Sequence, residues 1–233
     1  HMPTRHADRP SLKLAHNILD NGLVRVEAAS DGSITLTDHQ TGEHYSGLLR
    51  FEDTADIGDG WYHGQAVHDE AITSHASPCD VSIVEHGPQG AVMRLRTKMV
   101  VPAYSDVASS RRSEQRVEML LDTTIRLAKG DNHVDVTTKV TNPAKDHRVR
   151  VLLPTGASSA TTYIADQPFG VVERNIALRE DNHLYRELEI ETKPQTSWTA
   201  IFEQGRGLAV VADGLLETAA VDQADRPIAL TLF

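Results

Sequence analysis

The 233-residue chain has one cysteine, Cys79, which excludes an internal disulfide framework and a cysteine-built zinc site. Cys79 itself reads as a small core or surface residue. Basic residues are in deficit, 23 against 33 acidic ones, and the formal net charge is −10. That argues against a nucleic-acid binder, whose footprint is basic. No apolar run approaches the ~20 residues that a membrane helix needs. No signal peptide is visible, and the expected location is the cytoplasm. The chain also lacks a phosphate loop, a Gly-x-Ser-x-Gly elbow, a Cys/His family signature and a His-Glu-x-x-His zinc motif. No repeat and no low-complexity stretch interrupts it. Neutral polar ligands such as sugars remain open.

What is present is a globular composition, 39% hydrophobic and 24% charged, in a chain long enough for a real core. The strongest pattern is period-two alternation. Val134, Val136, Thr138 and Val140 share one face of a half-buried strand, and Asp135, Thr137 and Lys139 share the other. Residues 148–153 alternate in the same way. The Thr141–Asp146 turn makes the two runs an expected hairpin. Leu23–Glu27 and Ser33–Thr37 form another, across Ser30-Asp31-Gly32. Further strands are expected at 45–51, 80–85, 91–101, 114–128, 161–165, 170–174, 184–191, 196–203, 207–212, 215–220 and 227–233. Residues 114–128 favour strand over helix because Val117, Thr123, Thr124 and Ile125 are β-branched. About a dozen strands with short turns and no βαβ rhythm predict an all-β antiparallel sandwich. Val134, Val136, Val149, Val151, Leu153 and Val210 are the expected core.

The longest segments without periodicity are 52–79 and 102–113, and loops of that length are usually functional or contact another domain. The first holds Gly58-Asp59-Gly60-Trp61-Tyr62-His63. An aromatic face stacks on sugar C–H groups and a carboxylate accepts from sugar hydroxyls, so the string suits a saccharide. It equally suits a loop pinned to a core by Trp61. His63 and His68 lie near Asp69, and His133 and His147 sit on successive strands, but no pair has strong zinc spacing. They read as exposed or hydrogen-bonded histidines. Arg111-Arg112 reads as a solvated loop. The charges of Asp146-His147-Arg148-Val149-Arg150 form either a cross-strand ion-pair ladder or the outer face of a structural strand.

Taken in order, several strings resemble the β-rich domain of family 38 glycoside hydrolases, the α-mannosidases and relatives such as mannosylglycerate hydrolase. They are Asp20–Val26, Asp31–Asp38, Leu49–Asp53 with Gly58-Asp59-Gly60, Asn142–Arg150, Pro154-Thr155-Gly156, Ala165–Arg174, Gly207–Val210 and Ile228–Leu232. The resemblance implies a sandwich of the galactose-mutarotase-like type over residues 16–233. Residues 1–15 read as linker behind a tag remnant, His1-Met2-Pro3. It also implies a longer parent, with its nucleophile, its zinc or other divalent metal and a helical bundle outside this stretch. The expected partners are therefore that catalytic domain and an α-mannoside, with no nucleic acid and no membrane. No catalytic or metal-binding residue is assigned here, and the stretch alone is expected to be inactive. The resemblance nominates Tyr62 as sugar-facing, with Asp59 and Trp61 beside it, and Asp166 and Arg174 as more distant candidates for the same cleft. A stand-alone carbohydrate-binding sandwich is the competing reading. An aldose mutarotase-like epimerase is a third, although its His acid and Glu base cannot be assigned.

Overall fold

The computed structural model describes residues 12–59, 63–106 and 108–233. Strand accounts for 54% and helix for 3%, and the ladders between its strands are antiparallel, as expected of an all-β chain. No helix among the described residues is long and apolar enough to cross a membrane.

The chain divides into two compact units. The first comprises residues 1–46, 74–101 and 116–144. One of its sheets has the order Lys13–Ala15, Ile18–Asp20, Val24–Ala28, Ile34–Asp38, His44–Leu48. The other has the order Asp135–Thr141, Arg116–Ala128, Gly90–Pro102, Cys79–Gly87. Alternation in the two long strands sends Met93, Leu95, Met99, Met119, Leu121, Ile125 and Leu127 inward, each at most 2% exposed. Asn21 ties the sheets together, its amide donating to Ala128 O at 2.7 Å and Asp131 O at 2.8 Å.

The second unit comprises residues 47–73, 102–115 and 145–233. Its larger sheet runs Lys193–Pro194, Glu217–Ala220, Pro227–Thr231, His147–Pro154, Arg50–Ala55, Ile72–Thr73. A four-stranded sheet runs Gly170–Asn175, Thr162–Gln167, Trp198–Glu203, Arg206–Val211, and Ser105–Asp106 pairs with Arg111–Arg112. His147–Pro154 is central, flanked by Arg50–Ala55 and Pro227–Thr231, and all eight of its residues are buried.

Four expectations need correction. The hairpin across Thr141–Asp146 does not form. Asp135–Thr141 pairs back onto Arg116–Ala128 through the tight Lys129-Gly130-Asp131 turn, while His147–Pro154 finds both partners elsewhere. Val136 faces inward but is 41% exposed, because it lies on an edge strand with a neighbour on one side only. Val134 and Val210 are likewise half-buried, whereas Val149, Val151 and Leu153 are core. Finally, 184–191 is not a strand. The Asn182 side chain occupies its backbone, donating to Glu189 O at 2.8 Å and accepting from Glu189 N–H at 2.7 Å.

The Arg148/Arg150 string is the cross-strand ladder and not an outer face. Arg150 stands opposite Glu52, donates to it through Nη2 at 2.7 Å, and reaches Glu191 at 3.0 Å. Burial alone would push the Arg150 guanidinium down, but its two carboxylate partners outweigh that and hold it up. Arg148, buried beside Arg150, is pushed down.

Candidate functional site

The strand Arg50–Ala55 ends at Asp56, whose N–H donates to Asp146 O at 3.0 Å. From there the chain leaves and returns to nearly the same point. The Asp56 carboxylate accepts from Gly58 N–H at 2.9 Å and from Gly64 N–H at 3.0 Å. Ile57 N–H closes the neck on Gly64 O at 2.9 Å. Gly64 is required by close approach: a Cβ there would overlap Gly58 N and stand 2.6 Å from Gly58 Cα. His63 Nε2 is 2.9 Å from Ala55 O, which selects the tautomer protonated at Nε2. Asp59 sits on the exposed flank of this neck. Trp61 and Tyr62, with Gly60, lie outside the described residues.

Below the neck is a buried charged network. Asp53 and His147 sit on neighbouring strands, pointing to the same face, with His147 Nδ1 2.5 Å from Asp53 Oδ1. Arg112, from the short hairpin, donates to the other Asp53 oxygen. The side chains of Asp53, His147 and Arg112 are 0%, 2% and 6% exposed. Arg112 Nη1 also approaches Asp53 O at 3.4 Å, Glu70 O at 3.5 Å and Asp69 Oδ1 at 4.0 Å. Asp69 Oδ2 in turn accepts from Ala55 N–H at 2.9 Å. The Phe233 ring packs on His147 at a steep angle, with centroids 5.5 Å apart. Arg112 is therefore not a solvated residue. It ties the return limb of the loop, at Asp69 and Glu70, to the strand from which the loop departs.

Asp166 and Arg174 lie on one hairpin, Thr162–Gln167 with Gly170–Asn175, but on opposite faces. The Asp166 carboxylate accepts from the N–H groups of Thr196, Ser197 and Trp198 at 3.1, 2.8 and 3.0 Å. It also accepts from Ser197 Oγ at 2.7 Å. Desolvation would raise this carboxyl, but the Ser197 and Trp198 amides and the Ser197 hydroxyl outweigh it and lower its pKa to about 2. Arg174 donates to Gln167 Oε1 at 3.3 Å, with its guanidinium 5.9 Å from the Tyr163 ring centroid.

Among the described residues no three His, Cys, Asp or Glu side chains are grouped to hold a metal ion. His63 and Asp69 bond to the Ala55 backbone, and His75 lies 2.6 Å from Asp31. His68 pairs through its main chain with the strand at Ser110 and Arg111. With no three of them converging, the described residues do not fit a divalent metal.

The family model described as "Glycosyl hydrolases family 38 C-terminal domain" matches residues 19–233. A putative mannosylglycerate hydrolase from Halalkalibacterium halodurans is 28% identical, over 68% of this chain and 19% of its own. An α-mannosidase structure from Enterococcus faecalis V583 superposes with a TM-score of 0.88 at 27% identity, covering 97% of this chain and 27% of that one. A second Enterococcus faecalis structure, of a glycosyl hydrolase family 38 protein, gives 0.84 at 27% identity, over 98% and 28%. The chain thus spans about a fifth to a quarter of the length of these relatives.

Proposed function

The chain belongs to glycosyl hydrolase family 38, as its C-terminal domain, and on that premise we propose that it is the accessory β-domain of a longer, retaining, metal-dependent cytoplasmic α-mannosidase. In this reading the nucleophile and the divalent metal, zinc in the family, belong to a preceding α/β domain. The loop 57–64 of this chain forms one wall of the mannose pocket. The Tyr62 hydroxyl and the Asp59 carboxylate bond sugar hydroxyls, and the Trp61 ring stacks on sugar C–H groups.

The observation that carries the reading is the neck of this loop. Asp56 and Gly64 close it, and the buried Asp53–Arg112–His147 network lies beneath it. A binding loop that must meet a sugar in one geometry needs fixed ends, because a small misplacement is expensive in rate. A merely connecting loop does not need a buried ionic anchor.

The test uses the longer polypeptide specified by the encoding gene. Tyr62→Phe removes one hydroxyl and should leave the fold intact. Losing a neutral hydrogen bond that tightens in the transition state costs about 0.5–1.5 kcal/mol, a fall of roughly three- to tenfold in kcat/KM. If Tyr62→Phe is silent while Trp61→Ala unfolds the protein, the loop is structural and the site assignment is wrong. The 233-residue chain alone should not hydrolyse an aryl α-mannoside, with or without added zinc. Sub-millimolar mannose binding by it, read by titration calorimetry, would favour a stand-alone binding module instead.

A further inference from the structure

The four-stranded sheet of the second unit buries the middle of one face. Tyr163, Ala165, Thr199 and Ile201 on that face are at most 2% exposed. The register places Ile164, Val171, Trp198, Phe202, Ala209 and Val211 on the other face. There Val171 is 59%, Phe202 56% and Val211 79% exposed. Phe202 stands opposite Gly207, and a Cβ at Gly207 would overlap the Phe202 ring, so glycine lets the ring lie down across the neighbouring strand. The two carboxylates on this side are marginal and satisfied. Glu173 accepts from Thr162 Oγ1 at 2.7 Å, and Asp166 caps the Thr196–Trp198 turn.

One corner of the sheet carries a second anomaly. The two-residue turn between Gln167 and Gly170 is Pro168-Phe169, and Phe169 has φ +78°. That region is unfavourable for a bulky L-residue, and such strain persists where function or the surroundings demand it. Yet the Phe169 side chain is fully exposed and gains no packing from the described residues in return. Monomeric proteins rarely leave contiguous apolar surface of this kind uncovered.

We propose that this sheet face, crowned by Phe169, is the seat of another segment of the longer family 38 polypeptide, one presenting an apolar sheet or helix surface. The proposal rests on the reading that such a polypeptide surrounds this chain, and it adds which surface meets it. Two observations select this occupant. The Enterococcus faecalis α-mannosidase matches nearly all of this chain with only 27% of its own, so most of such a polypeptide has to pack somewhere. A second copy is the poorer candidate, because two chains of net charge −10 repel while the face offers no compensating cations.

Hydroxyl-radical footprinting of the 233-residue chain and of the longer polypeptide tests this. In the chain alone, Phe169 and Phe202 should label strongly at every protein concentration. In the longer polypeptide their labelling should fall to that of buried Tyr163. Val211→Lys should leave the chain alone folded and restore labelling of Phe169 in the longer polypeptide. Equal labelling in both proteins overturns the proposal, as does protection in the chain alone that grows with concentration, which would mean a second copy. Hydrolysis of an aryl α-mannoside, read on the same samples, separates the two readings. Activity with an unprotected face refutes the interface alone, and a protected face without activity refutes the glycosidase reading alone.

Discussion

Replacing Arg112 by Met keeps the stem of the side chain and removes the guanidinium that pairs with Asp53. Asp53 is completely buried and the Arg112 side chain is 6% exposed, so solvent cannot take over the lost partner. Breaking a buried pair from one side costs about 3–5 kcal/mol, mostly as the penalty of the charge left behind. At a urea slope of about 3 kcal/mol per M, that moves the unfolding midpoint down by roughly 1–1.7 M. The control is Arg25→Met, which breaks a direct pair with Glu27 whose side chains are 36% and 46% exposed. Exposed pairs contribute about 0–1 kcal/mol, so this midpoint should barely move. Adding Asp53→Asn to Arg112→Met should recover part of the loss, because the stranded charge is then gone. Urea titrations followed by far-UV circular dichroism at pH 7 read all four proteins. If Arg112→Met costs no more than Arg25→Met, Asp53 does not depend on Arg112 and the anchoring argument for the loop collapses.

Other substitutions separate the remaining readings. Val136→Asp, on the edge strand, should cost no more than about 1 kcal/mol, whereas Val149→Asp, with no exposed surface, should cost about 4 kcal/mol or more. Equal losses in urea would return Val136 to the core. Gly64→Ala forces the neck of the loop open, so amide exchange at Gly58 and Gly64 should quicken while the strand Arg50–Ala55 keeps its protection; unchanged exchange would show that the neck tolerates a Cβ. Asp166, held at about 2 when folded against an unperturbed 3.8, binds its proton less readily in the native state. Its contribution is complete above the unfolded value and fades as pH falls from about 4 towards 2. Asp166→Asn should flatten the stability profile in that window, and parallel profiles for the two proteins would contradict the assignment.

Much of the fold was legible because local chemistry decides it. Ser30-Asp31-Gly32 reads as a hairpin, and Gly32 indeed adopts φ +81° there, with Asp31 accepting from Ser33 N–H at 3.0 Å. The strand Arg116–Ala128 follows from its β-branched residues, and its thirteen residues pair as one element. Legibility fails where a segment's partner lies far away in sequence. His147–Pro154 shows the alternation of a half-buried strand, yet two distant strands pair along both of its edges and Arg150 is buried against Glu52 and Glu191. Residues 184–191 carry strand-like apolar spacing, but one asparagine side chain takes the hydrogen bonds that a ladder would have used.

The same distance hides the anchor of the candidate site. Arg112 lies 59 residues from Asp53 and His147 lies 94 residues from it, so no spacing rule joins them. Each residue alone supports a bland description: one charge in a basic pair, one histidine among twelve, one acid among 33. What the sequence did signal was the string they support, since Gly58-Asp59-Gly60-Trp61-Tyr62-His63 places aromatics and a carboxylate between glycines. A surface loop with that composition is ordinary until its ends are seen to be held. Asp56 and Gly64 hold them through two hydrogen bonds from backbone N–H groups to the Asp56 carboxylate and a contact only glycine allows, and Arg112 couples the return limb to a carboxylate with no access to water. On the proposed reading, the rigidity that a sugar-facing loop needs comes from side chains in its anchor and not from those offered to the sugar. Substitutions in the anchor should consequently change the loop's order before they change any contact it makes.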